Sequence, residues 1–148
     1  SGAFEVELVL PRTIQDEYPE NNLLRSNFEK PLSLPQEFIL SIQTNNLGRA
    51  SENKYYISDV SGMIWYYKDE FKDSTTYHIP VELARGVYQF KFSDDMEDGI
   101  SQHWWNRNAA PNQVGINGSV HFESTSGDTL LIFPPDYGQE LLLNFIVE

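Results

Sequence analysis

The residues of this chain best suited to chemistry stand together in one stretch. A strand-like run from Gly86 to Phe92 leads into Ser93-Asp94-Asp95-Met96-Glu97-Asp98-Gly99. Asp94, Asp95 and Asp98 supply carboxylate oxygens, and a hard cation such as calcium takes six to eight oxygen ligands from carboxylates and backbone carbonyls. Gly99 permits the tight turn that such a loop needs. The spacing is not that of an EF-hand, because both the Asp-x-Asp-x-Asp-Gly order and the distal Glu are missing. The competing reading of the same residues is a solvated acidic turn that caps exposed amides at a strand end.

A second group follows at once, in His103-Trp104-Trp105-Asn106-Arg107-Asn108. Trp104 and Trp105 offer an aromatic platform for a sugar ring, and Asn106 and Arg107 offer hydrogen bonds to its hydroxyls. Against this, one of two adjacent strand residues points inward, so a core role accounts for one of the two indoles. Trp65, Tyr66 and Tyr67 form a further aromatic run with alternate positions facing outward. Catalytic patterns are absent: His78, His103 and His121 are scattered, and no Gly-x-Ser-x-Gly, His-Glu-x-x-His or glycine-rich phosphate loop occurs. Asp95 and Glu97 could serve glycoside hydrolysis only at a defined separation across a cleft, and close acidic pairs are expected by chance in so acidic a chain.

The elements that must position these residues are strands. Tyr88, Phe90 and Phe92 alternate with Val87, Gln89 and Lys91, the period of a strand buried on one face. Phe4, Val6, Leu8 and Leu10 alternate in the same way up to Pro11, and Glu37 to Thr44 is a strongly apolar strand. Tyr55 to Ser58 and Met63 to Tyr67 flank a short turn and read as a hairpin, as do Gly118 to Glu123 and Thr129 to Phe133. Thr75 to Val81, Leu24 to Phe28 and Glu140 to Val147 complete roughly nine to eleven short strands. No segment holds a helical period. The expected fold is therefore an all-β antiparallel sandwich with Greek-key or jelly-roll connectivity. The prolines at 31 and 35 suggest a boundary, with 1–33 the end of a preceding β-domain or an N-terminal extension and 34–148 the sandwich.

Composition narrows the partners. The chain has 148 residues, 40% of them apolar, which is enough for a single core. Its formal net charge of −12 argues against nucleic acid and against an anionic membrane surface. There is no cysteine, hence no disulfide and no thiolate ligand. No apolar run approaches a membrane span. Ser1-Gly2-Ala3 lead straight into the first strand with no signal-peptide pattern, so the start reads as cut from something longer.

Two longer patterns carry a resemblance. Ser51-Glu52-Asn53-x-Tyr55-x-Ile57-x-Asp59-x-x-Gly62, Thr76-Tyr77, Leu83-x-x-Gly86-x-Tyr88-x-Phe90-x-x-x-Asp94-x-x-x-Asp98-Gly99-Ile100, and the closing Phe133 and Asp136-Tyr137-Gly138 stand in that order. From Gln36 to Glu148 the chain resembles a C-terminal accessory module of secreted Bacteroidetes proteins, found in relatives of peptide-N-glycosidase F and in secreted peptidases. Phe4 to Pro11 with Asp16-Glu17-Tyr18-Pro19-Glu20-Asn21-Asn22 resembles the last strands of a CARDB-like domain. The family often carries a cysteine where Val87 stands, so any disulfide there is lost. The resemblance implies a non-catalytic module of a secreted, cell-surface or periplasmic protein that supports an adjacent enzyme domain or binds glycan or surface protein. It also implies that Glu52 joins Asp94, Asp95 and Asp98 around calcium. The alternative is a part of a glycan-releasing, peptide-N-glycosidase-like hydrolase that contributes to its cleft.

Overall fold

A computed structural model describes residues 2–7, 23–28, 30–102, 108 and 110–148. The chain divides into two compact units, Ser1–Pro31 and Leu32–Glu148. Among its described residues the first pairs two strands antiparallel, β1 (Gly2–Glu7) with β2 (Leu23–Phe28). Cross-strand pairing sets Glu5 opposite Arg25, joined at 2.7 Å, and leaves Phe4, Val6 and Leu24 exposed on the other face.

The second unit is all-β but for two short helical turns among its described residues. Its strands are β3 (Leu32–Leu34), β4 (Glu37–Gln43), β5 (Asn53–Asp59), β6 (Ile64–Lys68), β7 (Thr76–Glu82), β8 (Gly86–Asp94), β9 (Ser119–Glu123), β10 (Thr129–Ile132) and β11 (Glu140–Val147). A 3-10 turn spans Ala50–Glu52, and a single helical turn, α1, spans Pro111–Val114. The strands form a four-stranded sheet in the order β10-β9-β4-β7 and a five-stranded sheet in the order β3-β11-β8-β5-β6. Every pairing is antiparallel except β3 with β11, which is parallel. No helix among the described residues is long and apolar enough to cross a membrane.

Leu32–Leu34 departs from the sequence reading, which took the prolines at 31 and 35 for a boundary and named no strand between them. Leu34 is buried, and Phe145 to Val147 pair with the three residues in parallel. Prolines sit just outside the strand, where a missing N–H costs no ladder bond.

The alternation seen in the sequence builds the core. Phe38, Leu40 and Ile42 of β4 and Val120 and Phe122 of β9 face Ile57 of β5, Tyr88, Phe90 and Phe92 of β8 and Phe145 and Val147 of β11, all buried. Phe122 meets Phe38 edge-on at 5.1 Å and Phe90 at 5.2 Å, so rings from opposite sheets interlock. The acidic end of β8 emerges from the edge of this aromatic core.

Candidate functional site

Strand parity divides the acidic run. Asp94 continues the inward series Tyr88, Phe90, Phe92, and pairs across the ladder with Asn53. Only 1% of it is exposed. Its carboxylate accepts the backbone N–H groups of Met96 at 3.2 Å and of Asp98 and Gly99 at 2.8 Å each, which folds the loop back over the strand end. Asp95 takes the outward parity and pairs with the Lys54 Nζ at 2.6 Å, with both side chains substantially solvent-exposed. The expected ligand set of Asp94, Asp95, Asp98 and Glu52 therefore loses Asp95.

The other three converge. The 3-10 turn, held by the Glu52 N–H to Arg49 carbonyl bond, delivers Glu52, and the Asp95 N–H donates to the Glu52 carbonyl at 3.0 Å. One oxygen each of Glu52, Asp94 and Asp98 lies within 4.8 Å of the others. Burial raises the Glu52 pKa; Arg49 opposes the rise, and Asp94, Asp98 and Asp73 add to it. Burial also raises that of Asp94, against the lowering effect of its three backbone donors.

Sequence reasoning missed the cation this cluster already holds. Arg49 is nearly buried, donates to the Asp98 carboxylate and to the Ser101 carbonyl at 2.7 Å, and stands 3.8 Å from Glu52. Glu52 Oε2 is shielded from water and accepts no hydrogen bond. Three carboxylates thus face one guanidinium, which leaves an excess of negative charge on the Glu52 side. For calcium the fit is partial. Oxygen donors are present and one is unsatisfied, but the Asp94 carboxylate is committed to the loop amides and Arg49 competes for Asp98. The local signal for Arg49 was Glu52 three residues on; its hydrogen-bond partners, Asp98 and Ser101, lie 49 and 52 residues away along the chain.

The closing motif is part of the same assembly. Gly99 has φ +72°, and a Cβ there would stand 2.6 Å from the Pro135 carbonyl oxygen. The next residue, Ile100, is fully buried and donates its N–H to that same carbonyl at 2.9 Å. Tyr137 donates to the Asn53 Oδ1 at 2.9 Å, and Asn53 donates to the Arg49 carbonyl at 3.1 Å. Burial, then Asp94 and Asp98, push the Tyr137 phenol well above the usual range. Asp98-Gly99-Ile100 and Asp136-Tyr137-Gly138, distant in sequence, are two sides of one packed corner.

Among the aromatic candidates, Trp104, Trp105, Asn106 and Arg107 lie outside the described residues. On the edge strand β6, Trp65 is 51% and Tyr67 55% exposed, while Tyr66 packs against the core. The Trp65 indole N–H donates to the Asp59 Oδ2 at 3.1 Å. Hydrogen bonds from Ser61 and Trp65 draw the Asp59 carboxyl down to about 2. Met63 and Ile64 extend the exposed apolar edge. The fold is thus an all-β sandwich with an acidic corner, partly compensated by Arg49, at one end of β8 and an aromatic edge on β6. Comparison with protein-family models, with curated proteins and with solved structures finds no match for the chain.

Proposed function

We propose that the unit Leu32–Glu148 is a non-catalytic accessory module of a larger secreted or surface protein, and that it binds a neutral glycan along the β6 edge. The observation that carries this reading is Trp65, a half-exposed indole whose N–H is tied to Asp59, beside the equally exposed Tyr67. A ring fixed in this way loses little freedom when a ligand stacks on it. Contiguous exposed apolar surface on a folded unit marks an interaction site. The net charge of −12 disfavours acidic ligands and leaves neutral ones. A glycan array probed with the intact chain tests the reading: binding that falls at least tenfold in Trp65→Ala supports it, and a blank array for the wild type overturns it.

Calcium enters this reading at the Glu52 side of the acidic corner, where a shielded carboxylate oxygen lacks a donor. A ligand that binds only the folded chain raises its melting temperature by mass action. Calcium is expected to raise that of the wild type and not that of Glu52→Gln; an unchanged wild type removes calcium from the account.

A further inference from the structure

The outer face of the four-stranded sheet carries a row that the sequence disperses. Ser41 of β4 is paired directly with His78 of β7 on one side and with His121 of β9 on the other. All three side chains share the face opposite to Leu40 and Ile42, which enter the core. Ser41 Oγ and His78 Nδ1 are 3.4 Å apart. On the other flank His121 Nε2 and the Glu123 carboxylate lie 2.5 Å apart.

We propose that His78 and His121 form a binding site for a borderline divalent transition metal, of which zinc is the type, above Ser41, with Glu123 as the positioning residue for His121. The carboxylate can only accept, so it fixes the proton on His121 Nε2 and leaves Nδ1 as the nitrogen with a lone pair. A metal-bound imidazole ordinarily donates its other N–H to a carboxylate in this way, which orients the ring and raises its basicity. His78 is exposed, and its Nε2 makes no hydrogen bond among the described residues. Two strands flanking a third stand about 10 Å apart, twice the strand spacing. Serine is small enough to let two imidazoles lean over it toward one ion, with zinc to nitrogen distances of about 2.0 to 2.1 Å. Imidazole selects zinc, copper and nickel over calcium. Two protein nitrogens leave the remaining positions open to water or to a donor from an incoming ligand. The site is separate from the oxygen-only corner of Glu52, Asp94 and Asp98 and does not depend on the glycan reading.

The test is a zinc titration of the untagged intact chain, followed by imidazole nitrogen NMR and by calorimetry. The expected result is about one equivalent bound, with shifts at His121 Nδ1 and His78 Nε2, undiminished by excess calcium. His78→Ala, at an exposed position, is expected to weaken binding by at least tenfold. Glu123→Gln is expected to weaken it by about 10- to 100-fold. Imidazole signals in the wild type that ignore zinc would overturn the proposal, as would zinc affinity unchanged in His78→Ala, which would put the ion on the carboxylates instead.

Discussion

Replacing Arg49 with methionine removes the guanidinium and keeps most of the aliphatic stem in its buried slot. The side chain is 6% exposed, while its carboxylate neighbours Asp98 and Glu52 are 22% and 24% exposed. Removing one partner of a buried pair costs about 3 to 5 kcal/mol, because the charge left behind is uncompensated. Partial hydration of Asp98 and Glu52 argues for the lower end, so the expected loss is about 3 kcal/mol. Urea denaturation measures it as a fall in midpoint at constant slope. The Glu52→Gln background should reduce the cost of the Arg49 substitution by about 1 kcal/mol, because one of the stranded charges is then absent. Acidification provides a further check. Glu52 and Asp94 have folded-state pKa values raised by burial from ordinary values of 4.5 and 3.8. Their favourable contribution is complete below those ordinary values and is lost as pH rises through the raised ones. The deficit of Arg49→Met should therefore shrink as pH falls from neutrality toward 4.5. A loss under about 1 kcal/mol, the range of an exposed ion pair, would refute the claim that Arg49 partly compensates the charge of this corner.

Other substitutions separate the roles of neighbouring residues. Asp95→Asn should change stability by no more than about 1 kcal/mol, since it breaks only the exposed pair with Lys54. Gly99→Ala should cost about 2 kcal/mol or more by denaturant midpoint, because it combines a left-handed backbone with a Cβ driven against the Pro135 carbonyl. Tyr137→Phe leaves the buried Asn53 Oδ1 without its donor and should cost about 1 to 3 kcal/mol. Phe90→Ala opens a cavity beneath Phe122 and Phe133 and should cost about 3 to 5 kcal/mol.

Residues that obey a local rule were legible from sequence, and residues governed by distant partners were not. The inward series of β8 follows from its period of two, and the same parity, extended two residues, separates inward Asp94 from outward Asp95. Leu32–Leu34 escaped notice because three residues between prolines carry no alternation; β11 alone makes them a strand, by tertiary pairing. Arg49 gave little local sign beyond Glu52 three residues on, since the hydrogen-bond partners that hold it, Asp98 and Ser101, lie in the loop after β8. His78 and His121 read as scattered until the register put both beside Ser41. The expected boundary near Pro31 to Pro35 rested on proline content, and the compact second unit begins at Leu32.

The central claim is a module that binds without turning its ligand over. Incubating the intact chain with glycopeptides and following both retention and mass tests it in one measurement. The account predicts glycopeptide held by the wild type, lost in Trp65→Ala, and of unchanged mass after prolonged contact. Release of free glycan, with the matching loss of mass from the peptide, would contradict it and make the chain part of a hydrolase.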